Sequence, residues 1–382
     1  MKYNILIEDK SQDDLIEEGV LSSIRPFFFH EQTIDDPIRN LSLEEKVDGV
    51  VGFLVGTSRD IRKGPKPTKG VIESIKSNVK SYIEENKPFK VVAAFGCAKT
   101  RALEQQGIDL AELMIIEQLA SISQRVRKFY EPGLNYQVFL CDSWYLHLYG
   151  LNDQAAVEKY CSEFELLISI LDLKEFQVQK LSNIVQNKGK DHQIAQKIEH
   201  NFELLEAYWE ESKDHTEKEW ESLTSYKKLC QAGWIGTLPR IQREFYLKKV
   251  QRYLPGANSR EERDAVLRYF AYSLMTGQED LFGRSTSVAD ISFLSPPPGS
   301  PKRLRGNRLH WRSMPKGTSN KLPASWTSKG FLLHKGKSFK PTAMSVQEYL
   351  ANEYELLRDA TLELANESKQ IKIPIPIYSH PV

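Results

Sequence analysis

The sequence predicts an α/β fold with a Rossmann-like, mostly parallel sheet, a helical insertion and additional carboxy-terminal elements. Three observations lead to this fold class. Phe89–Phe95 (FKVVAAF) is nearly continuous apolar sequence, as expected of a parallel strand covered on both faces. Asp109 and Glu112 form a capping-box pattern where a helix starts, and residues 136–140 (YQVFL) follow as a second strand. A strand, a helix and a strand in this order predict a parallel βαβ unit.

The flanking segments supply the other elements. Apolar residues at three- and four-residue spacings over 71–85 predict a helix that leads into the first buried strand. The final segment, 371–378 (IKIPIPIY), contains prolines, so we expect it at a sheet edge or as a docked tail. By the same patterns we expect further helices at 151–171, 261–275 and 346–364, and strands at 3–7, 50–55, 291–294 and 330–333.

The length of 382 residues suits two domains or one large α/β domain with insertions. We predict a catalytic core over residues 1–174, a mainly helical insertion over 175–285 and a carboxy-terminal part over 286–382 that completes the fold. Hydrophobic residues make up 40% and charged residues 27% of the chain, which is the composition of an ordinary globular protein.

Composition also excludes several classes of partner. The formal net charge is +1, so neither nucleic acid nor an anionic membrane is expected as the main partner, although basic runs at 59–69 and 302–312 leave nucleic acid as a minor alternative. Residues 1–10 lack the pattern of a secretory signal and no apolar run approaches the roughly 20 residues of a membrane helix, so we expect a cytoplasmic protein. The four cysteines are widely separated and predict core residues; we expect neither a metal nor a cofactor.

The loop after the first buried strand carries the most suggestive local cluster. Its residues Gly96, Cys97, Lys99, Thr100 and Arg101 place a glycine, two cations and a hydroxyl beyond the carboxyl end of a strand, where phosphates and carboxylates dock in α/β folds. This pattern indicates a site for an anion. A plain connection between strand and helix is the alternative, because neither the P-loop nor the dinucleotide spacing is present.

Five short motifs around this loop follow one another in an order that resembles the isocyanide (isonitrile) synthases, the group that includes pyoverdine and dityrosine biosynthesis proteins. That family has a proline before a hydrophobic strand, then F-P-x-K-S, P-D-x-x-E, Y-x-P-G and S-D-G. The resemblance covers about 100 residues. The matching segments here are Pro88-Phe89, Phe95-Gly96-Cys97-Ala98-Lys99-Thr100, Ile108-Asp109-Leu110-Ala111-Glu112, Tyr130-Glu131-Pro132-Gly133 and Cys141-Asp142-Ser143.

The resemblance implies a biosynthetic enzyme that joins the amine of an aromatic amino acid to the ketone of ribulose 5-phosphate and keeps the ketone carbon as the isocyanide carbon. Lys99 would bind the sugar phosphate or transfer protons, and Asp142 would hold or deprotonate an amine or hydroxyl, with Asp109 and Glu112 facing the same cleft. An oxygenase acting downstream would be a possible partner. The expected substrate-binding residues are Thr100, Arg101, Ser143, Arg303 and Arg305.

Each of these roles has a structural alternative. Asp109 and Glu112 are explained by the capping box alone, Asp142 by a turn after a strand, and Lys99 by a solvated loop. The family also has an arginine and a histidine in an R-L-S-I-H strand, for which the nearest segment here is 291–296 (ISFLSP). Either the reaction differs, or a basic run substitutes for them, or the chain is a non-catalytic relative that binds a ligand or a partner. That basic run is Lys302, Arg303, Arg305 and Arg308.

Overall fold

The computed structural model describes residues 2–7, 14–28, 40–56, 67–96, 107–143, 154–187, 191–212, 259–292, 308–312, 328–336 and 338–379, together with isolated positions between these ranges. The described residues form three sheets with helices packed around them. The predicted α/β fold class is confirmed, since neighbouring strands of the five-stranded sheet are parallel throughout.

The elements are labelled in chain order. The helices are α1 (Asp14–Ile24), α2 (Leu43–Val55), α3 (Lys69–Glu84), α4 (Leu110–Arg127), α5 (Gln154–Ile170), α6 (Leu181–Asn187), α7 (Asp191–Ser212), α8 (Ser259–Gln278) and α9 (Val346–Leu350). The strands are β1 (Lys2–Ile7), β2 (Phe89–Phe95), β3 (Leu134–Leu140), β4 (Phe176–Lys180), β5 (Ala289–Ser292), β6 (Arg308–His310), β7 (Ser328–Lys335), β8 (Ser338–Ser345), β9 (Glu355–Arg358), β10 (Ala360–Ala365), β11 (Gln370–Pro374) and β12 (Ile377–Ser379).

The parallel sheet has the strand order β4-β3-β2-β5-β6. The chain runs outward through β2, β3 and β4, with α4 and α5 as crossovers, and then returns to place β5 on the other side of β2. The strand order therefore reverses between β2 and β5. Open α/β sheets bind their ligands beyond the carboxyl ends of the strands at such a switch point.

Helix α4 lies between two layers, which explains its composition. The apolar residues at three- and four-residue spacings are buried, and so are residues such as Ala111, Met114 and Ile115 on its other sides; the spaced residues are Leu113, Ile116, Leu119, Ile122 and Val126. It contacts β3 of the parallel sheet and also β7 of a carboxy-terminal sheet. A helix that is apolar on most sides is expected where both of its faces are covered.

Two smaller sheets complete the fold. One has the order β1-β10-β11 and is antiparallel, so the first strand of the chain pairs with strands near its carboxy-terminal end. The other has the order β8-β7-β12-β9 and is mixed, since β12 runs parallel to β7 and antiparallel to β9. The strands predicted at residues 3–7 and 330–333 are confirmed as β1 and β7.

The strand predicted at residues 50–55 is wrong, because this segment is the second half of helix α2. The helix begins at a capping box in which Ser42 Oγ accepts from Glu45 N and Ser42 N donates to Glu45 Oε2 at 2.8 Å. Val47, Val50, Val51 and Leu54 then lie buried at three- and four-residue spacings. The S-x-x-E pattern upstream of the apolar run was the signal for a helix.

The region predicted as mainly helical, residues 175–285, starts with a strand instead. Strand β4 (Phe176–Lys180) pairs with β3 and forms one edge of the parallel sheet. Phe176 and Val178 alternate with glutamines, and this period of two is the strand signal. Helices α7 and α8 confirm the helical character of the other long described segments there, whereas the domain boundaries at 174 and 285 stay predictions.

Two predictions near the carboxy terminus need correction. Of the helix predicted at 346–364, only Val346–Leu350 is helical, and β9 and β10 follow. In the last segment, β11 lies at a sheet edge as predicted, but β12 lies between β7 and β9. Pro376 is accommodated because its carbonyl accepts a hydrogen bond from Leu332 N at 3.0 Å and no N–H is required of it.

Two more expectations bear on cellular location and on the cysteines. Among the described residues, no helix is long and apolar enough to cross a membrane. Cys141 and Cys161 are buried free thiols, as expected of core cysteines, and Cys97 and Cys230 lie outside the described residues.

Candidate active site at the carboxyl edge of the parallel sheet

The ends of β2 and β3 lie side by side. Phe95 is opposite Leu140 in the register, and Cys141 N donates to Phe95 O at 2.7 Å. Gly96 directly follows Phe95, and Asp142 lies two residues beyond Leu140, so both lie on the carboxyl edge next to the switch point. The predicted loop and the predicted aspartate therefore start from neighbouring positions.

Asp142 is almost fully buried, with 8% of its surface exposed, and both of its carboxylate oxygens are bound. Oδ1 accepts from Ser182 N at 3.0 Å and from Ser143 Oγ at 3.3 Å, while Oδ2 accepts from Ser182 Oγ. Ser182 lies in the first turn of α6, which follows β4 directly. Asp142 therefore links the ends of β3 and β4 and satisfies a free N–H group at the start of α6.

Asp109 and Glu112 form the capping box that the sequence predicted. Asp109 Oδ1 accepts from Ala111 N at 2.8 Å, and Glu112 Oε2 accepts from Asp109 N at 2.9 Å. Both side chains are buried and also bind other elements: Asp109 Oδ1 accepts from Gly330 N of β7, and Glu112 Oε1 accepts from Tyr160 of α5. These carboxylates fasten α4 to its neighbours.

The predicted site residues thus fall into two described groups, Asp109 with Glu112 at the start of α4 and Asp142 with Ser143 after β3. The other predicted residues lie outside the described part of the chain, and their roles stay predictions. They are Lys99, Thr100, Arg101, Arg303 and Arg305.

The electrostatics next to Asp142 disfavour a nucleophilic thiol at Cys141. Burial raises the pKa of the Cys141 thiol well above its ordinary value, so this thiol stays protonated near neutral pH. Burial raises the pKa of Glu165 and of Tyr272. Lys180 opposes the first shift and Arg268 the second, and the negative charge of Asp142 makes a smaller raising contribution to both. Asp142 therefore acts as a local negative centre for the groups around it.

Sequence reasoning missed Ser182, because residues after 175 were assigned to a helical insertion. It also missed the position of strand β6, which carries Arg308 and His310 on either side of the buried Leu309. In the register, Ser292 is opposite His310 and Asp290 is opposite Arg308. An arginine and a histidine thus lie on the strand next to β5, which begins the segment 291–296 that the sequence analysis matched to the R-L-S-I-H strand.

Within the described part of the chain, no group of three or more His, Cys, Asp or Glu side chains is placed to hold a metal ion. The chemistry that the described residues offer is hydrogen bonding, proton transfer and the binding of anions. Asp142 offers a carboxylate for proton transfer, and backbone N–H groups and arginines offer donors.

Comparison with known proteins gives a distant similarity to solved structures. No protein-family model matches the sequence, and no curated protein matches it. Among solved structures, the chain is similar to the PvcA protein from Pseudomonas aeruginosa, with 17% identity, a TM-score of 0.48, and coverage of 88% of this chain and 100% of that chain. At this identity and score, no property of the present chain follows from the similarity.

One carboxylate away from the sheet edge gives a testable dependence on pH. Glu117 lies in the middle of α4, and burial raises its pKa from 4.5 to about 7, with Arg125 opposing the shift. Since the folded pKa is the higher one, the stability that neutral Glu117 contributes is present below about pH 4.5 and is lost as pH rises to about 7. Glu117→Gln keeps the neutral form at every pH, so at pH 8.5 we expect it to be roughly 2 kcal/mol more stable than wild type.

Urea denaturation of both proteins from pH 5 to pH 8.5 measures this difference. The advantage of Glu117→Gln should grow up to about pH 7 and then level off. An advantage that stays constant across the whole range would show that the carboxyl group ionises as readily in the folded chain as in the unfolded one.

Proposed function

We propose that this chain is a biosynthetic enzyme of secondary metabolism, similar to isocyanide synthases, that condenses an amino-acid amine with ribulose 5-phosphate or a related carbonyl compound. The observation that carries the proposal is the alignment of two sequence motifs at the carboxyl edge. The loop that contains Lys99 leaves β2 beside the position where Asp142 leaves β3, because Phe95 is opposite Leu140. The motifs are thus neighbours next to the switch point of the sheet.

The condensation joins the amine nitrogen to the ketone carbon, and the carbonyl oxygen leaves as water when the imine forms. The amine must lose protons and the departing oxygen must gain them, so a group that exchanges protons is required. In the proposal Asp142 takes a proton from the amine, and Lys99 binds the phosphate or returns a proton to the oxygen.

Strand β6 offers candidates for the arginine and histidine that the sequence analysis could not match. The family's R-L-S-I-H strand calls for an arginine and a histidine, and β6 has Arg308 and His310 on a parallel strand next to β5. We propose that β6, and not residues 291–296, corresponds to that strand. This assignment takes Arg308 from the basic run, adds His310 from the same strand and strengthens the proposal that the chain is an enzyme.

One observation favours a second function, a non-catalytic relative that binds a ligand or a partner. Asp109, Glu112 and Asp142 all accept hydrogen bonds from backbone N–H groups of helix starts, so each has a structural task. These hydrogen bonds stabilise the fold, so they explain the three carboxylates even in a protein that is not an enzyme. Detection of a product separates the two functions.

The decisive experiment is to incubate the purified protein with tyrosine or tryptophan and ribulose 5-phosphate that carries carbon-13 at its ketone carbon. The proposal expects an isocyanide band in the infrared and a labelled carbon in the product by mass spectrometry. Reactions without the sugar phosphate are the control. A folded protein that binds both substrates but forms no product would support the binding function instead.

A further inference from the structure

Two partly buried arginines of the described fold, Arg263 and Arg284, are paired with carboxylates. The guanidinium of Arg263 contacts Glu206, Glu210 and Asp264 at 2.8 to 3.2 Å, with its side chain 17% exposed. Arg284 has the same exposure; its Nε makes no hydrogen bond of good geometry, but its charge is paired because this atom lies 3.1 Å from Asp290 Oδ2. Such pairing is expected, because a charge that is removed from water needs compensation.

Arg312 departs from this pattern. It is partly buried, its Nε atom is shielded from solvent, and this Nε has no hydrogen-bond partner within the described structure. The neighbouring Trp311 is fully buried, and its Nε1–H also has no acceptor there. Buried donors are nearly always satisfied in folded proteins, so two unsatisfied donors in adjacent residues call for an explanation.

The backbone holds Arg312 in a defined place. Arg312 N donates to Ile61 O at 2.6 Å, and the fully buried Trp311 and Met314 lie on either side of it in the chain. The cation therefore sits on an anchored segment. A backbone that is already fixed does not have to be ordered when a ligand binds, which favours binding.

The register puts Arg312 beyond the end of β6, at the same edge of the sheet as the switch point. Leu309 is opposite Ile291, and Ile291 is opposite Ala93, so Leu309 is level with Ala93 in the sheet. Arg312 lies three residues beyond Leu309, as Gly96 lies three residues beyond Ala93. With strands about 4.8 Å apart, β6 lies roughly 7 Å from the crevice between β2 and β5, and β3 lies the same distance on its other side.

We infer that Arg312 binds an oxyanion of a small-molecule ligand, a phosphate or a carboxylate, on the side of the crevice opposite Asp142. A guanidinium stays charged at all relevant pH values, and its planar fork fits both oxyanions through paired hydrogen bonds. The oxyanion supplies the negative charge that Arg263 and Arg284 obtain from aspartate or glutamate. The choice of a sugar phosphate as ligand rests on the proposed function, whereas the oxyanion site itself does not.

Calorimetric titration tests this inference with three probes: inorganic phosphate, ribulose 5-phosphate and tyrosine. The proteins are wild type, Arg312→Gln, Arg312→Lys and, as a matched control, Arg260→Gln at an exposed position of α8. We expect Arg312→Gln to weaken one oxyanion probe roughly 10- to 100-fold, the loss of a charged hydrogen bond, and Arg260→Gln to change nothing. Loss for the phosphates identifies a phosphate site, and loss for tyrosine alone identifies a carboxylate site.

Arg312→Lys keeps the charge without the fork and should bind with intermediate affinity. If Arg312→Gln does not fold, Arg312→Lys provides the test, because wild-type affinity in Arg312→Lys would overturn the inference. Equal binding by wild type and Arg312→Gln, or no binding of any probe by wild type, would overturn it as well. Binding that depends on Arg312 without isocyanide formation would refute the proposed reaction and leave the oxyanion site standing.

Discussion

Replacing Gly330 with alanine is expected to lower the free energy of unfolding by about 3 kcal/mol. Gly330 lies on β7 against the start of α4, and its N–H donates to Asp109 Oδ1 at 3.1 Å. A Cβ atom at this position would lie 2.2 Å from Ala111 N and 2.8 Å from Asp109 Oδ1. Ala111 N is backbone inside the capping box, so the clash can be relieved only by separating β7 from α4.

The effect should exceed that of a usual small-to-large change, because it combines overpacking with the loss of a helix cap. Chemical denaturation of the wild type and the variant measures it. Gly52→Ala is the matched control: Gly52 is exposed in α2, a methyl group there would meet nothing within 4 Å, and alanine should stabilise the helix by up to about 1 kcal/mol. Equal stabilities for Gly330→Ala and wild type would contradict the close packing of β7 on α4.

The βαβ unit was predictable because its signals are local. The apolar run of β2, the capping box at Asp109 and the apolar run of β3 each specify one element, and chain order then requires a parallel pair. The strand predicted at residues 50–55 was wrong because two local signals in that region disagreed. Val50 and Val51 suggest a strand by composition, although the capping box at Ser42 had already started a helix.

Other features depend on contacts between distant parts of the chain. Strand β12 occupies an inner position because β7 and β9 pair with it, and β1 pairs with β10 more than 350 residues away in the sequence. No local pattern specifies such partners. The switch point between β2 and β5 depends in the same way on where the chain returns after β4, so the sequence indicated the edge that carries the site but not the place of Arg312 or Ser182.

If the proposed function is right, Asp142→Asn is expected to lower the rate of isocyanide formation by at least 100-fold in a protein that remains folded. Asparagine has the shape of aspartate: its carbonyl can replace Oδ1 as acceptor for Ser182 N, and its amide can donate to the Ser182 hydroxyl, which accepts as readily as it donates. The substitution removes the charge and the capacity to take a proton, with little change in packing. The rate with tyrosine or tryptophan and ribulose 5-phosphate, measured beside a melting curve, tests this.

Ser182→Ala makes the complementary change, since it removes a contact to Asp142 and leaves the carboxylate in place. If Asp142 transfers protons, Ser182→Ala should retain most of the activity that Asp142→Asn loses, because a carboxylate that is less firmly held can still take a proton. If Asp142 serves only to cap α6, the two variants should lose stability to a similar extent and neither should lose activity beyond that. The ratio of the two rates, at equal folded fraction, therefore separates a catalytic carboxylate from a structural one.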